Sequence, residues 1–446
     1  MDYIRHKNRL TYIKDSIRII LTCLPYALIS VGCIAGSTIN SSLANSLGAS
    51  VIAAFGVFNG LGPLWSILTR LIATSMCTLV AKEKDLEQKN MEVEDITSTA
   101  LAVNLIASLF MILFIFIFHE SIATFFSTGD SLMYKLLDNL LLMRCLLIPI
   151  EAVSLIQDQY LAAMRKNKLL FYTDVLFYIV LVAGDLIALW FGFGGEGIFA
   201  ATIIAYIVYV GSMLFTSRMK LGKIKKNIAK ELIRLSTDML PDRVCQQITY
   251  VIHTKIATTF GTETYALVTV AYLVEEVYEA ICDGLADGWS VYVCEWLSGA
   301  RDEVHTIYTK RKNIVRQAKY FSLISLILLG ILFLLSVYFL WFLFGRVFAW
   351  EDCKASIFIA HLLFLSYIFY LSNYEMLKAS GESKCLRWTS LVGGICVRVP
   401  VQLIGVYVFG GQILALAFGQ MLDFLVRTIY LNKQVKRSKR LNSYAV

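Results

Sequence analysis

Five carboxylates crowd one apolar stretch of this chain. Residues 271–289, AYLVEEVYEAICDGLADGW, hold Glu275, Glu276, Glu279, Asp283 and Asp287. Glu275, Glu279, Asp283 and Asp287 recur every four residues, which on a helix sets them along one slowly turning face. Like charges at that spacing repel, so either some carry protons or cations lie opposite. The chemistry open to such a stripe is exchange, because a carboxylate binds a proton or an organic cation, each at the expense of the other. Arg70, Lys255 and Arg398 are possible internal ion-pair partners, with Arg144 a fourth. The plainer reading of the stripe is an inter-helix salt-bridge network or a water-facing edge.

A second set lies in the N-terminal half: Asp185 and Thr202, with Glu151, Asp158 and Asp174 nearby. His253, His361 and Tyr374 are pore-facing candidates, although a lone histidine in a span more often reads as a packing residue. The ten cysteines show no paired ligand spacing, which suggests neither a disulfide framework nor a metal site. No GxxxxGK[ST] phosphate loop occurs, so direct ATP drive is not expected. Nor is there a spaced His-and-acid set for hydrolysis. The chain therefore reads as a non-enzyme, with H+ or Na+ as its only inorganic partner.

The elements that must position these groups are membrane helices. Hydrophobic residues make up 57% of the chain and charged residues 17%, with a mean hydropathy of +0.65. Soluble domains carry about 25% charged residues, so this chain lacks the polar surface to coat a globule. Residues 101–118 and 321–345 contain no charge at all. A helix of about 20 such residues spans a hydrocarbon core, and backbone inside lipid must bond within its own segment.

Apolar blocks and polar breaks place twelve spans near 17–44, 51–81, 95–119, 133–164, 169–192, 196–217, 237–260, 266–298, 318–345, 355–380, 387–408 and 412–432. Loops on the side of the termini then hold most of the 41 lysines and arginines, against Arg346 and Lys354 on the other. That asymmetry puts both termini in the cytoplasm and accounts for the net charge of +8 without nucleic acid. The basic N-terminus has no short apolar stretch with a cleavage site behind it and reads as a cytoplasmic lead-in.

The chain also repeats itself. Residues 159–204 and 374–419 each run from a polar-ended helix through a small basic loop and an apolar span to a Phe-Gly hinge, FGFGG at 191–195 and FGGQ at 409–412. A second echo joins NSLGASVIAAFGVFNG (45–60) to TTFGTETYALVTVAYL (258–273). These echoes predict two six-helix lobes, 1–220 and 221–446, joined by a basic linker at about 218–234. Paired repeats around a central site are a transporter plan. A channel would need a filter-like segment, and none is found.

Several of these segments resemble the multidrug and toxic compound extrusion (MATE) family. They are Pro25 opening span 1, SLGASVIAAFG (46–56), GIFAATIIAYIV (197–208), LSGAR (297–301) and YEMLKASGESK (374–384). The resemblance implies an all-α fold of two six-helix lobes and a cation site in the first lobe. It carries the family Asp to Asp185 and the Thr to Thr202. The span 1 acid falls at Asn40, which cannot ionise, and the span 5 Asn at Leu181. A carboxylate and two neutral oxygens from Asp185, Thr202 and Asn40 still suit Na+. Some relatives use an acid in span 7, where PDRVCQQ puts Asp242 early and Gln246 and Gln247 at the expected depth.

The expected function is secondary active export of small, cationic or amphiphilic molecules by alternating access, coupled to proton or sodium antiport. A flippase for a lipid-linked intermediate is the alternative, and it would call for a cationic rather than an acidic cavity. A monomer in contact with lipid, in a bacterial inner membrane, is the expected setting.

Overall fold

The structure, a computed structural model, describes residues 11–24, 27, 43–85, 93–164, 166–217, 219–298, 314–344, 350–380, 382, 385–438 and 441. Those residues are almost all helical, and no strand occurs among them. Helix α1 covers 11–24. The helices α2 (Ala49–Trp65), α3 (Ile67–Asp85), α4 (Val93–Ser127), α5 (Ser131–Ala163), α6 (Asn167–Trp190), α7 (Gly194–Ser217), α8 (Lys226–Thr258) and α9 (Thr262–Ser298) follow. Then come α10 (Ile314–Phe344), α11 (Trp350–Phe364), α12 (Tyr367–Ala379), a π-helical segment Leu391–Arg398, α13 (Val399–Tyr407) and α14 (Ile413–Arg437).

Twelve spans are expected from hydropathy. Among the described residues, seven helices are long and apolar enough to cross a membrane, or eight with α2 and α3 taken as one bent span. The bend of 46° follows Pro63, whose ring removes a backbone donor and crowds the preceding turn. The long helices α8 and α9 miss the seven, being diluted by their own charges, Asp238, Asp242, Arg243 and Lys255 in the stretch of α8 beyond Arg234 and the acidic stripe in α9.

Two compact units emerge from the packing, Ala35–Thr269 and a second made of Met1–Ile34 with Val270–Val446. They cross the boundary suggested by the repeat, since α8 packs with first-half helices and α1 with second-half ones. In the first unit, Ile228 and Leu232 of α8 share a buried cluster with Met76, Val80, Ile96, Ala100 and Ile156. The α6–α7 hairpin turns at Gly192 (φ 73°) and Gly194 (φ 65°), a left-handed backbone that glycine adopts without a Cβ clash. A Cβ on Gly184 would lie 2.8 Å from that of Ala201, so the two helices meet backbone to side chain.

In the second unit the corresponding hinge turns at Gly410 (φ 66°), and Gly405 closes on Ala415 as Gly184 does on Ala201. Trp289 of α9, fully buried, stacks on Phe321 with centroids 4.9 Å apart and donates its Nε1 to the Ser372 carbonyl at 3.2 Å. Gly288 lets α9 approach Cys23 of α1. Gln317 of α10 donates to Tyr12 O at 3.2 Å and Ser16 Oγ at 2.8 Å, tying α10 to the same helix. These contacts fix the rotation of α9, and with it the face on which its carboxylates lie.

Candidate functional site

Exposure falls along the stripe on α9. Asp287 is exposed, Asp283 and Glu279 are half-buried, and Glu275 is buried at 5% exposure. Each end has a cation. Arg398 acts electrostatically on Glu275, which also hydrogen bonds Gln420. Lys378 acts on Asp287 and bonds Glu375 Oε1 at 2.9 Å. Glu375 itself lies within electrostatic reach of Asp283 and Asp287.

The middle pair is held by a tyrosine. Tyr367, the first residue of α12, directs its phenol at Glu279 Oε1 (3.2 Å) and Asp283 Oδ1 (3.0 Å). A phenol has one proton to donate, so it serves one carboxylate at a time, and the second contact is satisfied when that carboxyl brings its own proton. The arrangement suits a proton, or the positive charge that replaces it. Its ring is fixed by Phe364 (5.6 Å) and Phe424 (4.9 Å).

Behind the stripe lies a buried ion pair. Arg427 bonds Asp423 through both Nε and Nη2, the latter at 2.8 Å, and donates Nη1 to Ser390 Oγ at 3.2 Å. Its guanidinium sits 5.3 Å from the Tyr370 ring centroid, and its charge reaches Glu279. The π segment makes room for the pair. A Cβ on Gly393 would fall 2.0 Å from Asp423 Oδ1 and 2.6 Å from Arg427.

In the first unit Asp185 is fully buried on α6 beside the Gly184–Ala201 contact, with Thr202 on the facing helix. Thr202 donates to the Ile198 carbonyl of its own helix at 3.3 Å. Leu181, one turn before Asp185, is buried as well. Asn40 lies outside the described residues. No three His, Cys, Asp or Glu side chains among the described residues are grouped to hold a metal ion.

Sequence reasoning did not anticipate how the neighbouring acids are joined. Tyr209 of α7 directs its phenol at Asp158 Oδ1 of α5 (2.8 Å) and Asp174 Oδ1 of α6 (2.9 Å), a second carboxyl–phenol–carboxyl link. Glu151 pairs with Arg144 of its own helix, and Arg70 stands 3.9 Å from it while bonding Ser66 Oγ at 3.0 Å. Arg70 and Lys255, expected as partners of the stripe, thus have described partners of their own. Lys255 donates to the Phe125 carbonyl and lies 4.3 Å from that ring's centroid. Asp242 and Gln247 of α8 are both buried, and Gln246 accepts from Arg243 at 3.1 Å. His361, fully buried on α11, shares a close contact between its Nδ1 and the Ile357 carbonyl (2.6 Å) and packs 4.9 Å from Phe333.

Some of the missed residues carry a local signal. Tyr367 and Tyr370 lead at helical spacing to Tyr374, a candidate from the sequence, and Asp423 and Arg427 stand four apart in an apolar helix, where such a pair shields itself. The Asp158–Tyr209–Asp174 link spans three helices and has none.

Residues 25–187 match the MatE family model. No curated protein matches the chain by sequence. Solved structures align over nearly its whole length. An inward-facing multidrug resistance MATE family transporter of the MOP superfamily is 14% identical, with a TM-score of 0.73 over 94% of this chain and 99% of that one. A MATE protein in complex with MaL6 is 16% identical, with a TM-score of 0.68 over 97% of each. A MOP superfamily transporter from Pyrococcus furiosus, described as having a binding pocket of reverse polarity that suggests a different function, is 15% identical, with a TM-score of 0.67 over 95% of this chain and 96% of that one. Family model, fold and apolar helices agree, and this chain is an integral membrane protein with a MatE domain over residues 25–187 and the MATE fold over nearly its whole length.

Proposed function

We propose that the protein is a secondary active exporter of small cationic or amphiphilic organic molecules, working by alternating access and driven by proton or sodium entry. The observation that carries this reading is the graded row of carboxylates on α9, from exposed Asp287 to buried Glu275, with Tyr367 bridging its middle. A row of acids exposed at one end attracts organic cations. Its tyrosine-bridged pair accepts protons, so loading one ligand lowers affinity for the other, which is the thermodynamic core of antiport. Intramembrane carboxylates are costly and are kept where a pathway uses them. Asp185 and Thr202, with Asn40, are a second place for the coupling ion.

The repeat halves 1–220 and 221–446 supply the two lobes, with α1 and α8 exchanged across that boundary, and a single copy in a bacterial inner membrane suffices. A flippase for a lipid-linked phosphate would use free cations in its cavity. In the second unit, Arg427 and Lys378 are each engaged by a carboxylate, so the acidic sign of the site favours export of cations. A pocket polarity reported as reversed in a protein of this fold makes that sign the informative feature.

Efflux of a lipophilic cationic dye from proteoliposomes under an imposed proton or sodium gradient tests the reading, with Glu279→Gln and Asp283→Asn beside the unmodified protein. Gradient-driven efflux lost in both variants is the expected result. No efflux under either gradient would overturn polyspecific cation export.

A further inference from the structure

The linker between the halves is pinned by its backbone and displays its side chains. Residues 219–225 run without helical structure after α7. The amide of Gly222 donates to Ser98 Oγ at 2.8 Å, that of Lys223 to Asp95 Oδ1 at 2.6 Å, and that of Lys225 to Thr99 Oγ1 at 3.0 Å. Lys225 also pairs with Asp95 through its ammonium. These bonds lock the strand-like linker onto the first turns of α4, so its outward groups keep a defined order.

Those groups alternate between basic and apolar. Lys220, Lys223 and Lys226 are exposed, and between them Leu221 and Ile224 are 63% and 68% exposed. The pattern continues on α8, where Lys226, Lys230 and Arg234 share one face at four-residue spacing beside the exposed Ile233. Immediately before the linker, Leu214 and Phe215 at the end of α7 are also exposed. An apolar helix of 24 residues ending at Ser217 brings the linker to the boundary between acyl chains and water. Exposed leucine and isoleucine are out of place in water but at home at that boundary, with lysines reaching to the phosphates.

We propose that residues 219–226 and the first turns of α8 form a docking surface for anionic phospholipid headgroups of the adjoining leaflet. Lys220, Lys223, Lys226 and Lys230 hold the phosphates, and Leu221 and Ile224 enter the acyl boundary. Charge complementarity selects an anionic lipid, since basic clusters beside a span bind acidic leaflets. The apolar pair selects lipid over free anion. This surface does not depend on the transport reading.

The test uses the full-length protein in detergent, titrated with phosphatidylglycerol, phosphatidylcholine or inorganic phosphate. Amine-reactive labelling is quantified at each lysine by mass spectrometry, and lipid adducts are counted by native mass spectrometry. Phosphatidylglycerol should slow labelling of Lys220, Lys223, Lys226 and Lys230 several-fold, with no protection by the other two. Affinity should fall roughly five-fold for each lysine replaced by glutamine, which follows from the attraction of one basic side chain to an acidic surface. The variant Leu221→Ser with Ile224→Ser should lose lipid adducts with every lysine in place. Equal protection by phosphatidylcholine would reduce the surface to generic lipid contact. Protection by inorganic phosphate would make it a free-anion site, and no protection at all would leave it to a soluble partner. Each of these overturns the proposal.

Discussion

The ion pair behind the acidic stripe should be worth more as a pair than either partner alone. Asp423 is fully buried and Arg427 is 5% exposed, and the arginine's three bonds use Asp423 twice and Ser390 once. Replacing Arg427 with methionine leaves a carboxylate buried without its counter-charge, a loss of about 3–5 kcal/mol. Replacing Asp423 with leucine strands the guanidinium at a similar cost. The double replacement removes both charges and fills the space with apolar atoms. It should return to within about 1–2 kcal/mol of the unmodified protein, because exchanging a buried pair for packed hydrophobic residues is close to neutral. Gly393→Ala alone should also destabilise, since its methyl would press on both members of the pair.

The fold supplies its own probe for this cycle. Cys23 and Cys282 are buried in the same unit, and in a background whose other cysteines, the exposed Cys396 among them, are replaced by serine, a thiol-reactive fluorophore reports their exposure on heating in detergent. The two single variants should unfold at markedly lower temperature and the double variant near the starting value. Singles without effect, or a double as unstable as either single, would refute the argument. Dye efflux by a stable double variant would then measure what the Arg427 charge contributes to Glu279.

Tyr367→Phe keeps the ring between Phe364 and Phe424 but removes the phenol, and a hydrogen bond to a charged group is worth about 1.5–3 kcal/mol. Exchange in proteoliposomes should slow by roughly 10- to 100-fold, with the unfolding temperature falling by only a few degrees. Gly184→Val should overpack the α6–α7 contact and cost about 1–3 kcal/mol in detergent unfolding, with partial recovery in combination with Ala201→Gly. Asp130 caps α5 by accepting from the amides of Leu132 (2.9 Å) and Met133 (3.0 Å), and Ser50 donates to it at 2.8 Å. Burial pushes this carboxyl up, but the bonds from Met133, Ser50, Thr262 and Leu132 together outweigh it and hold the group below its usual value. Its contribution is therefore full above the ordinary aspartate range, at about pH 4, and is lost as pH falls through the lowered value. Asp130→Ala should cost about 1 kcal/mol at neutral pH and flatten the acid limb of the stability curve.

The legible part of this protein was the part written in local pattern. Charge-free runs announced helices in lipid because unpaired backbone cannot stay there, and the Phe-Gly hinges announced the turns that Gly192, Gly194 and Gly410 make with positive φ. The four-residue recurrence of Glu275, Glu279, Asp283 and Asp287 announced a single face, since helical geometry alone sets that alignment. What stood opposite could not be read. The cations near the stripe proved to be Arg398, already a candidate, with Lys378 and Arg427, while Arg70 and Lys255 found partners in the other unit.

By itself, then, the sequence determined the solvent, the helices and the acidic face, because hydropathy and helical period act between neighbours along the chain. Tertiary structure alone decided that Tyr367, 88 residues along the chain from Glu279, bridges it to Asp283, that Tyr209 joins Asp158 to Asp174, and that Gly393 opens a space for Asp423 and Arg427. Those contacts depend on which helices pack and at what rotation, a choice made by the shapes of whole faces such as Trp289 on Phe321. No spacing within one segment records it.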